Sequence, residues 1–332
     1  MAAYRSAIED ASALFSYAPF YLLVAAIFFK LDSGLTDSKF SIKKYFQYLL
    51  PKYVWSKSSF KVDIQWHILS FFRIPGFFLK FLITTTSLSL MPSLINHLSI
   101  NNTALAKWLQ AFIATSPIGE FIVFAVALLA FDFGTFFAHW LSHKSEFLWQ
   151  FHKAHHFSEQ LNYFAGERVH PVDGFIGFNT GIVLMAFSVS VLMPVPENIL
   201  SGPSIYASKH EWFYYLFLFY PSFVNRLTHA HFPISYGRFF DRVFVTPAYH
   251  LRHHSKAVMN MNFGQFFSIW DWMFRTQLLP SSDKSIDHRQ ILGVDGMGDR
   301  YYRNAFEFLY LPFFDAANVV KKNIFRMLKI EK

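Results

Sequence analysis

Residues 118–156 read IGEFIVFAVALLAFDFGTFFAHWLSHKSEFLWQFHKAHH. The apolar part, residues 118–141, has the length that a helix needs to cross a bilayer, about 20 residues. Five histidines then follow within residues 139–156. The stretch therefore predicts a membrane-spanning helix that leads directly into a group of possible metal ligands.

The composition of the whole chain fits a lipid environment. Of 332 residues, 53% are hydrophobic, 20% are aromatic and only 16% are charged, and phenylalanine alone contributes 43. Soluble domains average about 25% charged residues. The low charge and the aromatic excess predict an integral membrane protein.

Five apolar stretches recur along the chain, and the last of them is marginal in length for a span. They are residues 13–30, 67–91, 118–141, 172–193 and 211–228. The first follows Glu9 and Asp10 and precedes no clear small-residue cleavage site, so we interpret it as a retained anchor. The pattern predicts an all-α fold: a polytopic membrane domain with four to five spans.

The distribution of lysine predicts the orientation. Segment 31–66 carries six lysines, whereas the loops 92–117 and 194–210 carry one each. Basic loops stay in the cytoplasm, so the first segment is expected there and the other two outside. Counting spans then places both histidine-rich segments in a cytoplasmic helical cap.

The net charge of +8 has a membrane explanation, because the basic residues gather beside apolar segments. No zinc knuckle, RNP-like motif or helix-turn-helix pattern is present, so a nucleic-acid partner is not expected. The absence of cysteine excludes disulfides and thiolate ligands. Any metal site must use histidine and carboxylate side chains.

The histidines cluster strongly. Ten of the fifteen fall within residues 139–156 and 229–254. Eight of them follow the spacings His-x-x-x-His and His-x-x-His-His, which on a helix aim imidazoles from one face. Neutral imidazole binds iron, zinc, copper or nickel. One zinc ion takes three or four protein ligands, so a set this large predicts two metal ions.

Two other classes stay open on spacing alone. A non-oxidative, zinc-type membrane metalloenzyme would use the same imidazoles, since ligand type does not exclude zinc. A histidine-rich metal transporter is the second alternative, although its ligands are expected inside the spans rather than at their ends.

The residues around the histidines form a longer pattern across residues 118–276. It comprises three boxes (His139–His143, His152–His156 and His250–His254), Asp132, Leu148-Trp149-Gln150-Phe151, Arg168-x-His170-Pro171, Thr246-Pro247, Asn262-Phe263-Gly264, Trp270-Asp271 and Phe274. In order and separation this pattern resembles the fatty acid hydroxylase and sterol desaturase superfamily. Trp140 and Phe136 depart from it, where the family often has Arg and Tyr, and residues 1–110 and 280–332 carry no family signal.

The resemblance implies a di-iron centre and names its residues. The implied metal ligands are His139, His143, His152, His155, His156, His229, His250, His253 and His254, with His170 as a possible further ligand. Asp132, His231 and Asp271 are implied as residues that hold the ligand rings by hydrogen bonds. No catalytic residue separate from the metal site is expected.

The resemblance also implies the reaction. Family members use dioxygen and two electrons to hydroxylate or desaturate a C–H bond of a lipid such as a fatty acyl chain, a sterol or an ether lipid. The chain has no nucleotide-binding Gly-rich motif, so electrons are expected from a separate donor. That donor would be a reductase with a cytochrome or ferredoxin, or a pterin.

Three segments follow from these patterns. Residues 1–117 are expected to form N-terminal spans and a basic loop, residues 118–276 the catalytic domain, and residues 277–332 a cytoplasmic tail. The end of the tail, VVKKNIFRMLKIEK (319–332), has the pattern of a basic amphipathic helix. An ordinary solvated terminal helix fits that pattern equally well.

Overall fold

A computed structural model describes residues 22–27, 29–30, 41–71, 103–116, 118–192, 224–281, 291–298 and 300–328. Ten α-helices with defined bounds lie in these ranges. They are α1 (Ile42–Leu49), α2 (Lys52–Trp55), α3 (Ser58–Phe71), α4 (Ala104–Thr115), α5 (Gly119–Lys144), α6 (Glu146–His156), α7 (Pro171–Leu192), α8 (Pro247–His253), α9 (Ile269–Phe274) and α10 (Ala305–Met327). Short 3₁₀ turns occur at Ala165–Glu167 and Phe240–Arg242.

The secondary structure is helical throughout the described ranges. They contain three isolated β-bridges and no strand. The predicted all-α class is therefore confirmed for this part of the chain.

Two of the helices could cross a membrane. Phe121–Lys144 and Pro171–Val189 are long and apolar enough to do so, by length and composition. This is fewer than the four to five predicted spans. The other three predicted stretches lie largely outside the described residues.

The two candidate spans, α5 and α7, pack antiparallel along a glycine contact. Gly134 and Gly181 meet so closely that a Cβ on Gly134 would lie 2.7 Å from the Gly181 Cα. Nearer the other end of the contact, Ser142 Oγ donates to Asp173 at 3.5 Å. Small residues allow two helix backbones to approach in this way without a hydrophobic driving force between them.

Side-chain caps fix the starts of the helices that carry histidine. Ser145 Oγ accepts from the Leu148 N–H at 3.3 Å and begins α6 immediately after α5 ends. Thr246 Oγ1 accepts from the Tyr249 N–H at 3.3 Å, and Pro247 occupies the first position of α8. Both are ordinary N-terminal signals, and they set the direction in which each histidine box leaves its helix start.

A core of buried side chains joins parts of the chain that are distant in sequence. Trp66 of α3, Ala154 and Phe157 beside the second box, and Phe308 of α10 pack together. The Trp66 and Phe308 rings are 4.6 Å apart. The helix of the second box is therefore held between α3 and α10.

Candidate metal centre

The structure brings nine of the ten predicted ligands together in two groups. In each group one nitrogen from every imidazole lies within 4.8 Å of all the others. The first group contains His139, His143, His152, His156 and His253. The second group contains His155, His229, His250 and His254. We call these the first and second histidine clusters.

Four separate elements build the clusters. The end of α5 supplies two histidines, α6 supplies three, the helical turn at 224–228 leads into His229, and α8 with its C-terminal residue supplies the last three. The box on α6 contributes to both clusters, because His152 and His156 point to the first and His155 to the second. The clusters are adjacent: the rings of His156 and His254 are 4.4 Å apart.

Backbone carbonyls fix several of the rings. His155 Nδ1 donates to the Arg168 carbonyl at 3.0 Å, and His229 Nδ1 donates to the Asn225 carbonyl at 2.6 Å. In the first cluster, His253 Nδ1 donates to the Met261 carbonyl at 2.8 Å. A carbonyl oxygen can only accept, so each of these Nδ1 atoms carries the proton and each neutral ring presents a bare Nε2.

The bare nitrogens converge at the spacing of metal ligands. His155 Nε2 and His229 Nε2 are 3.0 Å apart, and His229 Nε2 and His250 Nε2 are also 3.0 Å apart. Ligand nitrogens at about 2.1 Å from one metal ion lie about 3 Å apart when they meet it at right angles. Two facing lone pairs at this distance repel each other unless a cation lies between them. The donor set therefore fits a bound metal ion.

A proton does not serve as that cation at neutral pH. Burial, opposed by the Asn225 carbonyl and reinforced by Arg168, lowers the pKa of His229 to about 4. Burial lowers the pKa of His155 well below its usual value, and neighbouring imidazoles act in the same direction. Both rings are neutral near pH 7, which is the form that binds metals.

Unpartnered nitrogens mark the first cluster as well. The Nε2 atoms of His139, His143 and His253 are buried and have no hydrogen-bond partner within the described structure. A buried polar atom without a partner is costly, so three of them within 4.8 Å of one another fit a bound metal ion. The Trp149 and Phe263 rings close this side, each 5.0 Å from the His143 ring.

Asp173 is a functional residue that sequence reasoning missed. Its Oδ2 accepts from His152 Nδ1 at 2.9 Å, so it holds a ring of the first cluster. Carboxylates in this position fix the ring and raise the basicity of a metal-bound imidazole. Its place in the first turn of α7, three residues after His170, was the available signal.

Asp271 supports the first cluster at one remove. Its carboxylate accepts from the Phe263 N–H at 2.8 Å and the Gly264 N–H at 2.7 Å. The Phe263 carbonyl lies 2.7 Å from His139 Nδ1. Asp271 thus fixes the backbone turn at Phe263 and Gly264. It acts on His139 through the Phe263 carbonyl rather than by contacting the ring itself.

Asp132 has a different partner from the one expected. Its carboxylate accepts from the Phe266 and Phe267 N–H groups at 3.0 and 3.1 Å, and from Trp270 Nε1 at 2.7 Å. It is two helical turns before His139, about 10 Å along the axis, which is too far to reach that ring. Asp132 ties α5 to the segment after the third box.

His170 and His231 lie outside both clusters. His170 Nε2 donates to the Leu309 carbonyl at 2.9 Å, and its Nδ1 accepts from the Val172 N–H at 3.2 Å. Both ring nitrogens are therefore used by the backbone, one of them as the N-cap of α7. His231 Nε2 donates to the Tyr48 carbonyl at 2.6 Å. It follows His229 by two residues, a spacing that turns the side chains to different sides.

Comparison with known proteins agrees with this geometry. Residues 124–276 match the family described as fatty acid hydroxylase. The match covers just under half of the chain. The resemblance to the fatty acid hydroxylase and sterol desaturase superfamily, drawn from the histidine boxes and their flanks, is thereby confirmed.

Two curated relatives are similar over the same region. The chain is 28% identical over 173 residues to ornithine lipid hydroxylase OlsE of Rhizobium tropici, which covers 52% of this chain and 45% of the relative. It is 28% identical over 190 residues to alkylglycerol monooxygenase of Danio rerio, covering 57% of this chain and 36% of the relative. The match thus spans less than half the length of either relative. No solved structure matches the chain.

Proposed function

We propose that this protein is a membrane-bound di-iron oxygenase that hydroxylates a C–H bond of a lipid. The observation that carries the proposal is the convergence of nine buried or half-buried imidazoles in two adjacent clusters. The match to the fatty acid hydroxylase family supports the assignment, and both relatives are named as lipid-oxidising enzymes. Hydroxylation is favoured over desaturation because both relatives are named for oxygen insertion.

The chemistry divides between the metal and the protein. Iron bound by the two clusters would supply the redox chemistry with dioxygen, by which R–H, O₂, two electrons and two protons give R–OH and water. The nine histidines would hold the two ions. Asp173, the Arg168 carbonyl and the Asn225 carbonyl fix the ring orientations, and Trp149 with Phe263 excludes water from one side.

The electrons would come from a separate donor. A reductase with a cytochrome or ferredoxin, or a pterin, would fill this role. The lipid would enter laterally from the bilayer, because a long apolar chain gains nothing by leaving it.

We further propose that the clusters lie on the cytoplasmic face of a multi-pass protein. Both candidate spans meet the clusters at the same end: α5 ends just after His143, and Asp173 in the first turn of α7 accepts from His152 Nδ1. The contact between Ser142 and Asp173 joins those two ends. The lysine-rich 31–66 segment supports a cytoplasmic location for this side.

Metal analysis combined with isotope transfer tests the function. Purified protein should contain two iron ions per chain and should incorporate one atom of ¹⁸O from ¹⁸O₂ into an extracted lipid when a reductant is supplied. The variant His155→Ala should lose both properties, whereas His231→Ala should keep them. Two zinc ions per chain, with no oxygen uptake under any donor, would establish the non-oxidative alternative instead.

A further inference from the structure

The last helix, α10, has two faces of different character. Its inner face is buried at Ala305, Phe308, Pro312 and Ala316 and packs on α3 and α6. These contacts bury one side of the helix through its first three turns. On the outer side most side chains are exposed, and Phe313 also contacts Phe151.

A stripe of large apolar side chains runs along the outer side. Its members lie on one broad face of the helix and are between 38% and 77% exposed. They are Phe306, Tyr310, Phe313, Phe314, Val320, Ile324, Phe325, Met327 and Leu328. A contiguous apolar surface of this length on a helix marks an interaction site rather than ordinary solvated surface.

The charge beside the C-terminal half of the stripe has a single sign. From Ala316 to Leu328 the charged residues are Lys321, Lys322 and Arg326, and none is acidic. Lys322 and Arg326 lie toward the side opposite the stripe, whereas Lys321 lies within its arc, with Nζ 5.7 Å from the centre of the Phe325 ring. An apolar stripe bordered by basic residues matches the boundary between acyl chains and anionic headgroups.

The helix also sits at the correct end of the candidate spans. His170, the residue before span α7 begins, donates to the Leu309 carbonyl of α10 at 2.9 Å. Lys153 pairs with Asp315 at 2.8 Å, and the Phe151 and Phe313 rings are 5.2 Å apart. Phe151 and Lys153 flank His152, so α10 is attached directly to the helix that serves both clusters.

We propose that α10 lies in the surface of an anionic bilayer. In that position it holds the two histidine clusters at the membrane depth where lipid chains are accessible, and we call this placement the seating of the clusters. The functional reason for this seating rests on the proposed lipid oxidation. The placement of α10 in the membrane surface does not. The occupant of the apolar stripe is the headgroup and acyl boundary of the membrane.

The lack of cysteine in the chain allows a direct test. Single cysteines replace Val320 and Ile324 on the stripe, and Asn318 and Lys322 on the polar side serve as matched positions. Each variant of the full protein is labelled with a nitroxide and reconstituted in vesicles of phosphatidylcholine with phosphatidylserine. Collision rates with oxygen and with a water-soluble nickel chelate then report the depth of each label.

The two stripe positions should favour collision with oxygen, and the two polar positions should favour the chelate. Free access of the chelate to all four labels would overturn the proposal. Strong spin–spin broadening at Val320→Cys and Ile324→Cys would overturn it too, because it would show that a second copy of the chain covers the stripe.

Charge reversal provides the second measurement. The label at position 324 is measured again in the double variant Lys321→Glu with Lys322→Glu. The ratio of membrane-immersed label to water-exposed label should fall by about tenfold or more, because each basic residue near an anionic surface contributes substantially to attraction. An unchanged fraction would contradict the role of charge.

Metal content is measured in the same samples as a control for folding. Normal immersion without any lipid oxidation would refute the proposed function and leave the seating intact. Iron-dependent hydroxylation with water-exposed stripe labels would refute the seating alone.

Discussion

Asp63 and Arg168 form an ion pair in which neither side chain is exposed to solvent, both being 0% accessible. The pair joins α3, in the segment without a family signal, to Arg168, which contacts the cluster residue His155. Arg168 Nη2 donates to the His155 carbonyl at 3.0 Å, while the Arg168 carbonyl accepts from His155 Nδ1. Asn162 Nδ2 donates to the other oxygen of Asp63 at 2.6 Å.

Removing one member of this pair should destabilise the protein strongly. Asp63→Ala leaves the Arg168 guanidinium buried without a counter-ion, and such changes cost about 3–5 kcal/mol. We expect a lower thermal unfolding midpoint and a loss of metal from the second cluster. The double variant Asp63→Leu with Arg168→Met should recover part of the stability. A single variant as stable as the parent protein would show that the pair does not anchor His155.

The positions of the histidines were predictable because they depend on helix geometry. Spacings of three and four residues place side chains on one face whatever the tertiary fold. Eight of the nine converging residues belong to these spacings, whereas His229 was implied by the family resemblance. Whether the nine bind metal stays a prediction. His170 failed to converge because its ring is used in capping α7, a role that the R-x-H-P motif does not reveal.

The supporting residues could not be derived in the same way. Asp63 and Asp173 meet their partners across 105 and 21 residues, so only the packed structure brings them together. The predicted segment boundaries at residues 117 and 276 likewise leave out contacts that only the packed structure reveals. Asp63 and Leu309 lie outside 118–276, yet both contact residues beside the clusters.

His229 and His231 offer a matched pair for testing the ligand assignment. His229 lies at the centre of the second cluster, whereas His231 donates to a distant backbone carbonyl. His229→Ala should lower the metal content by about one ion per chain, because it removes the imidazole whose Nε2 lies 3.0 Å from both His155 Nε2 and His250 Nε2. His231→Ala should keep both ions. Metal analysis by mass spectrometry reads the difference, and equal content in the two variants would refute the assignment.

Asp173 should tune metal affinity without acting as a ligand. Asp173→Ala removes the acceptor for His152 Nδ1, and changes of this kind weaken metal binding by about 10–100-fold. Competition with a fluorescent chelator would measure the affinity. Glu159→Gln is the control, since Glu159 pairs with Lys57 at the surface and should leave the affinity unchanged.

The glycine contact between the candidate spans should be intolerant of a side chain. Gly134→Ala places a Cβ 2.7 Å from both the Gly181 Cα and the Thr180 carbonyl oxygen, so the two backbones must separate. We expect a loss of about 1–3 kcal/mol, as for other overpacked contacts. Gly177→Ala, whose Cβ meets nothing within 4 Å, should be neutral or slightly stabilising. Thermal unfolding in one detergent compares the two, and equal destabilisation would contradict the close crossing.

Metal removal should destabilise the folded protein. Without a metal ion, the imidazole lone pairs of the second cluster stay close together with no cation between them. The Nε2 atoms of His155 and His229 face each other at 3.0 Å, and at neutral pH the low pKa of His229, about 4, prevents a proton from replacing the metal. An ion present at 100 times its dissociation constant stabilises the native state by about 2.7 kcal/mol. Chelation should therefore lower the thermal midpoint, and ferrous iron, but not magnesium, should restore it. In His229→Ala the shift on chelation should be smaller, since one lone pair and one bound ion are already lost. A midpoint unaffected by chelation in the parent protein would mean that the two clusters are held by packing alone.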